Sequence, residues 1–307
     1  MEEKGNINPK TDYRKDQTKG YFDAFISSEA LRERTKIEYW RMIGILCREL
    51  QKDFLEITEE DILRFQRSME ALIRRGKLSN RTLRLRLYCY SSFSAYLLRA
   101  GVIERNVFAY LYKPVVEDAP YTNKIPSTKE CDDMLEAAMA AGEDMYLIYC
   151  MILRMGLTTT EICNLKTQNV TEFEGDLVCY LYTPGGKKEH RYIVVPEDLK
   201  EGLMTFKDSV VTEYLFANSR GKQMTVPALD KRARKIMGAA GLGKFSLKDL
   251  RNRAIYQMIH DGAEEEEIAL YNNLSLQRVH TFKQSPFAES KMLSICPANL
   301  SRIKIMG

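Results

Sequence analysis

Between residues 112 and 126 the chain reads Tyr-Lys-Pro-Val-Val-Glu-Asp-Ala-Pro-Tyr-Thr-Asn-Lys-Ile-Pro, with three prolines, mixed charge and no apolar period. Proline removes a backbone donor and biases the residue before it away from the helix, so such a tract is an extended linker. It divides 307 residues into two lengths that are each ordinary for a domain. The expected organisation is a disordered start over 1–15, a first domain over 16–113, a linker over 114–125 and a second domain over 126–307, with the break near 115–122.

Before the linker the apolar pattern is helical. Phe22, Phe25 and Ile26 form a first stripe, and Leu31 leads into a longer helix carrying Ile37, Trp40, Ile43, Ile45 and Leu46. Thr58-Glu-Glu-Asp61 has the form of a capping box ahead of Ile62, Leu63, Phe65 and Met69. Ser79 precedes Leu83, Leu87, Tyr90, Phe93, Tyr96 and Leu97, spaced at three and four residues until Gly101. The expected unit is a bundle of four helices with a small fifth over 106–111.

After the linker, Ser127-Thr-Lys-Glu130 opens a helix to about 141, and residues 143–154 form a second, strongly apolar one closed by Gly156. A short third helix covers 160–166. Two strands are expected over 177–183 and 190–195, joined by Pro184-Gly-Gly-Lys-Lys188, with lesser strands over 213–217 and 223–225. Helices over 227–240, 246–259, 264–271 and 274–281 follow. The fold class is therefore mainly α with a small antiparallel β-sheet.

Composition narrows the function classes. No window approaches the roughly 18 apolar residues of a membrane helix, and the polar start carries no signal-peptide pattern, so a cytoplasmic protein is expected. Seven cysteines (Cys47, Cys89, Cys131, Cys150, Cys163, Cys179 and Cys296) are scattered, with no C-x-x-C and only three histidines in the chain. That spacing fits reduced, buried thiols and excludes the usual zinc patterns, so no metal is expected.

Net charge is only +4, but its distribution is uneven. Arg74, Arg75, Lys77, Arg81, Arg84, Arg86, Arg99 and Arg105 face a single acid, Glu104, in that stretch, and Lys231, Arg232, Arg234 and Lys235 form a second cluster. A solvated helix face and a phosphate-binding surface both fit such runs. A sharper feature lies between Phe245 and Phe282. There Lys248 and Arg251 stand three apart on one helix, so both side chains leave the same face. With a polar group from the later short helix, they make a candidate anion site.

The order of elements and these motifs resemble the tyrosine recombinase (phage integrase) family from about residue 15 to 285. The first domain resembles that family's helical, SAM-like core-binding domain through Ser79-x-x-Thr82, the aromatic run through Phe93 and Tyr96, and Val102-Ile103-Glu-Arg-Asn106. Lys124-Ile-Pro126-Ser-Thr-Lys-Glu130 resembles the entry into its catalytic domain. Arg154-Met-Gly156-Leu157-Thr-Thr-Thr160-Glu161-Ile-Cys-Asn-Leu165 is similar to its first signature box, and Leu250-Arg251-Asn-Arg-Ala254 with Gly262 to its second. The resemblance implies a two-domain clamp on duplex DNA and strand cleavage by a tyrosine hydroxyl, giving a 3′-phosphotyrosine bond and a free 5′-hydroxyl. Such chemistry needs cationic donors around the phosphate and a general acid for the leaving oxygen, and the resemblance implies no metal or nucleotide cofactor.

Carried over by position, the resemblance puts the first-box arginine on Thr158, the hairpin lysine on Lys188 with Lys187 as near alternative, and the second-box pair on Lys248 and Arg251. The later His or Trp falls on Tyr271 and the nucleophilic tyrosine on His280. A slip of one or two residues gives Thr281 or Phe282, and no register gives a tyrosine. Threonine lacks the planar, charged fork of arginine, and losing one transition-state donor costs ~10²–10³ in rate. Arg154, one turn earlier, is the candidate substitute.

Tyr271 and His280 are the candidate atypical nucleophiles, and Arg81, Arg84, Lys187, Lys231, Arg232, Arg234, Lys235 and Lys244 the expected DNA contacts. Plainer readings stand beside them: an ion pair of Arg251 with one of Glu264 to Glu267, a buried hydrogen-bonded phenol for Tyr271, and solvated charges for the lysines. The expected function is a catalytically inactive DNA-binding protein with an accessory or regulatory role in DNA recombination or integration on a mobile element. Its expected partners are duplex DNA and either an active recombinase or a second copy reached through the tail over 291–306. Two other readings are an active recombinase with an atypical nucleophile and a protein-interaction module that keeps the fold without DNA.

Overall fold

The computed structural model describes residues 12–29, 31, 33–109, 111, 125–183 and 190–285. The chain divides into two units, Met1–Glu117 and Asp118–Gly307.

Side-chain caps fix where two helices of the first unit begin. Its helices are α1 (Asp16–Ser28), α2 (Glu33–Leu50), α3 (Glu59–Arg74) and α4 (Asn80–Arg99). Ahead of α3, Thr58 Oγ1 accepts from the Asp61 backbone N–H, and the Asp61 carboxylate accepts from the Thr58 N–H at 3.0 Å, so two orphan donors are satisfied reciprocally. Ser79 caps α4 by accepting from Thr82 N–H at 3.1 Å. The apolar faces meet in an aromatic core, where the buried Phe93 ring lies 5.6 Å from Phe22, 5.5 Å from Phe25 and 4.9 Å from Phe54. Trp40 packs on Phe22 at 4.9 Å, and the Arg14 guanidinium sits 4.1 Å over its ring. Residues 106–109 form a turn where a fifth helix was expected. Asn106 explains the difference: its side chain accepts from Phe108 N–H at 3.0 Å and donates to Ser91 O at 3.1 Å, so local bonds displace helical ones.

The second unit is built on α6. It runs α5 (Thr128–Ala141), α6 (Glu143–Met155), α7 (Thr159–Asn164), β1 (Val170–Phe173), β2 (Asp176–Tyr182), β3 (His190–Val194), α8 (Glu197–Ser209), α9 (Val226–Ala239), α10 (Leu247–His260), α11 (Glu265–Tyr271) and α12 (Leu276–Lys283). Ten residues of α6, Met145–Leu153 and Met155, are buried, so this helix is apolar all round and other helices pack on it, α5 and α10 most extensively. Gly156 ends it in the left-handed region at φ 63°. The strands form one antiparallel sheet in the order β1-β2-β3, with Leu181 opposite Arg191 and Tyr180 opposite Tyr192. A smaller apolar cluster joins Ile255 and Tyr256 of α10 to Ile268 of α11 and Val279 and Phe282 of α12.

The fold class is the expected one, mostly helical with a small antiparallel sheet. Two elements escaped the sequence reading. β1 pairs with β2 through a two-residue turn at Glu174 and Gly175, both at positive φ, and Glu-Gly is a weaker hairpin signal than Asn-Gly. α8 buries only Leu199 and Leu203, too few to make a stripe. The lesser strands over 213–217 and 223–225 are absent from the described residues and reduce to the isolated bridges Lys166–Tyr214 and Ala217–Gln223. There Asn218 Oδ1 accepts from the N–H groups of Arg220 and Lys222, closing the loop on itself. The hairpin over 184–189 and the tail over 291–306 lie outside the described residues. No group of three or more His, Cys, Asp or Glu poised for a metal occurs among the described residues, and the six described cysteines are free and buried. No described helix is long and apolar enough to cross a membrane.

Burial alone would raise the pKa of Asp61, but hydrogen bonds from Lys52 and Thr58 prevail and hold its carboxyl at about 2. Its folded value lies below the ordinary 3.8, so its contribution is present above about pH 4 and lost as pH falls through about 2. Asp61→Asn should therefore lower stability by about 2 kcal/mol at neutral pH and flatten the decline between pH 4 and 2. Urea unfolding of the first unit followed across that pH range checks this.

Candidate phosphate-binding site

Arg251 leaves α10 one turn inside its start, where Ser246 and Asp249 make the cap: Ser246 donates to the Asp249 carboxylate from its N–H at 2.9 Å and its hydroxyl at 2.7 Å. The guanidinium of Arg251 is held by main chain on two sides. Its Nε donates to Gly156 O at 2.8 Å, and its Nη2 donates to Asn272 O. Both carbonyls belong to helix ends, which leave acceptors without intrahelical partners. Glycine is required at 156, because a Cβ there would stand 2.1 Å from Asn272 Oδ1 and the backbone is left-handed.

A second guanidinium approaches from the sheet. Arg191 lies on the inward face of β3 with its side chain 5% exposed. Its Nε donates to Glu161 Oε1 at 2.8 Å, its Nη2 lies 2.8 Å from the same oxygen, and its Nη1 donates to Tyr271 O. Glu161 is fully buried, and its other oxygen, Oε2, accepts from the Thr158 N–H and hydroxyl, both at 2.8 Å. Thr158 is thus the N-cap of α7, and its hydroxyl is committed to Glu161.

The two arginines consequently bind successive carbonyls at the end of α11. Burial pushes Arg251 down to about 10; Glu161 opposes that shift and the charge of Arg191 adds to it. Arg251 remains cationic at neutral pH. Tyr271 is half-buried between these groups. Burial pushes its phenol up, against the charges of Arg191 and Arg154, which favour the phenolate.

The remaining candidates spread outward. Lys248 is exposed on α10. Arg154 is engaged by Asp198 of α8 at 3.1 Å. Val279 and Phe282 turn α12 inward, while His280 is exposed and its Nε2 is 2.8 Å from Gln284 Nε2. Lys187 and Lys188 fall outside the described residues. On α9, Leu229, Ala233 and Met237 are buried while Lys231, Arg234 and Lys235 are exposed at three- and four-residue spacing. Arg232 spends its fork on Asp144, at 2.7 and 3.1 Å, and Lys244 pairs with Glu130 at 2.7 Å. In the first unit Arg81 is exposed, and Arg84 is half-buried with its Nη2 3.3 Å from the Tyr88 hydroxyl.

The candidate ion pair of Arg251 with Glu264 to Glu267 does not form, since carbonyls occupy its Nε and Nη2. Arg191 and Glu161 were missed as a pair. One signal existed: Arg191 shares the inward register of Ile193 and Val195, and an inward arginine requires a buried acceptor.

Residues 127–273 match the model described as the phage integrase family. The second unit thus carries a phage integrase, or tyrosine recombinase, family domain over these residues. Similar curated proteins include tyrosine recombinase XerC of Anoxybacillus flavithermus, 23% identical over 254 residues that cover 76% of this chain and 80% of that protein. XerC of Bacillus subtilis is 22% identical over 240 residues, covering 72% and 76%. Among solved structures, lambda integrase (residues 75–356) bound to DNA superposes with a TM-score of 0.67 at 16% identity, over 88% of this chain and 95% of that one. The Tn1549 transposon integrase in complex with transposon right-end DNA gives 0.66 at 14% identity, over 85% and 92%. At these identities the structural likeness is one of fold.

Gly241 is also left-handed, at φ 71°, but has open space at its Cβ position. Gly241→Ala should cost about 1–2 kcal/mol, the ordinary penalty for that backbone region. Gly156→Ala should cost clearly more, because Asn272 has to be displaced. The two midpoints of urea unfolding, measured side by side, decide it.

Proposed function

We propose that the chain is a duplex-DNA-binding member of the tyrosine recombinase family that serves DNA recombination or integration without cutting DNA itself. The observation that carries this reading is the pair of arginines at the end of α11, faced by a single carboxylate that offsets only one of their charges. A phosphodiester oxygen is the natural ligand of such a pair, since guanidinium forks match phosphate geometry. The exposed Lys231, Arg234 and Lys235 on α9 and Arg81 on α4 supply non-specific backbone contacts. Lambda integrase and the Tn1549 integrase, which share the fold, are both seen with DNA, and that supports the same class of ligand here.

Support for inactivity comes from the groups around the phosphate. The last helix among the described residues, Leu-Gln-Arg-Val-His-Thr-Phe-Lys, contains no tyrosine. Thr158 contributes no charge and is committed to capping. Tyr271 is held toward its neutral form by burial, which disfavours attack. Such a protein acts beside an active recombinase or another copy of itself, as an accessory or regulatory subunit.

Gel-shift titration of a generic duplex at increasing salt tests the reading. Affinity should fall steeply, with a slope of about 0.9 per neutralised phosphate, and Arg251→Gln should weaken binding and lower that slope by about one. Absence of duplex binding at low salt rejects the proposal. A nicked suicide substrate should trap no covalent adduct; an adduct lost on Tyr271→Phe or His280→Ala rejects the inactivity.

A further inference from the structure

The cluster at the end of α11 holds more positive charge than its neighbours neutralise. Arg191 and Arg251 each carry a guanidinium, and the carboxylate that faces them is Glu161. The remaining ligands are neutral carbonyls, at Gly156, Tyr271 and Asn272. One positive charge is left in a region largely sealed from water, where like charges repel strongly. Arg154 adds nothing to the balance, because Asp198 pairs it.

A second observation points the same way. Arg191 Nη2 is sealed from solvent and makes no hydrogen bond among the described residues, although it lies 2.8 Å from Glu161 Oε1. Nη2 thus has a charge partner but no well-aligned hydrogen bond, and buried guanidinium N–H groups nearly always find an aligned acceptor. Arg251 likewise commits Nε and Nη2 to carbonyls, leaving its third nitrogen without a hydrogen bond among the described residues. Consecutive carbonyls, Tyr271 O and Asn272 O, anchor the two forks, and the charge of Arg191 acts on Arg251. A cavity of about 640 Å³, bordered by Arg191, Met258, Leu270 and Tyr271, adjoins the cluster. Glu267 also borders it, with its carboxylate accepting from the Glu264 N–H at 3.3 Å.

We propose that Arg191, delivered by β3, is the second phosphate-binding guanidinium of this site and takes the place of the charge that Thr158 lacks. Glu161 links the two positions: one oxygen binds Thr158 and the other binds Arg191. The ligand is a single tetrahedral oxyanion bound between Arg191 and Arg251. A phosphodiester, which carries one negative charge, neutralises the cluster. This inference rests on the proposed DNA-binding function for the source of the phosphate, but not for the anion site itself.

The test uses the full chain and two ligands, inorganic phosphate and duplex DNA. Phosphate binding is followed by calorimetry and by thermal stabilisation, and duplex binding by gel shift. Arg191→Lys keeps a charge opposite Glu161 but removes the fork, and should weaken phosphate binding about tenfold or more. Arg191→Met with Glu161→Gln removes the pair together, so folding is spared a lone buried charge, and should weaken it further. Adding Thr158→Arg to Arg191→Met should restore phosphate binding, which a purely structural role for Arg191 does not require.

Wild-type affinity in both Arg191 variants overturns the proposal, as does the absence of any phosphate binding by the wild type when duplex binding is intact. Phosphate binding that depends on Arg191, without duplex binding, supports the anion site and rejects the DNA reading alone.

Discussion

A fully buried carboxylate, Glu161, organises the second unit's site. One of its oxygens starts α7 by accepting from Thr158, and the other receives Arg191 from the neighbouring sheet. Removing either charge of a buried pair strands the other, typically at about 3–5 kcal/mol. That penalty ties helix start, strand register and cation position into one unit. Shifting β3 by one residue would place Arg191 on the exposed face with Tyr192 and leave Glu161 unanswered.

The second constraint is supplied by helix ends. Chain termini of α6 and α11 leave carbonyls that need donors, and Arg251 serves both at once. An arginine used this way is positioned by the main chain itself. Its geometry is set by backbone, which a surface substitution does not disturb. By contrast the cations of α9 sit on solvated stems, and Arg232 and Lys244 are already paired within their own unit. The site therefore combines one rigid pair of forks with a looser basic surface.

Much of the fold was legible because its signals are local. Thr58, Ser79 and Ser127 each cap a helix within three residues of themselves, and such bonds can be read from sequence spacing. The buried run of α6 was equally plain. β1 and α8 were not, because Glu174-Gly175 is an uncommon hairpin pair and α8 carries two buried leucines in thirteen residues. The site was legible in part. Arg251 stood out from its spacing with Lys248, yet its true partners are 95 and 21 residues away, and one of them is a glycine carbonyl. Arg191 meets Glu161 across 30 residues, a contact that only the sheet's register creates.

The placement of Trp40 has an optical consequence. It is the single tryptophan of the chain, packed on Phe22 beneath Arg14 in the first unit. Its emission thus reports the environment of that unit's aromatic core. The second unit, with the arginine pair, has tyrosines such as Tyr180, Tyr192 and Tyr271 but no tryptophan, and the first unit has tyrosines of its own, among them Tyr39, Tyr90 and Tyr96. Selective tryptophan excitation therefore follows the first unit alone, without any label being attached.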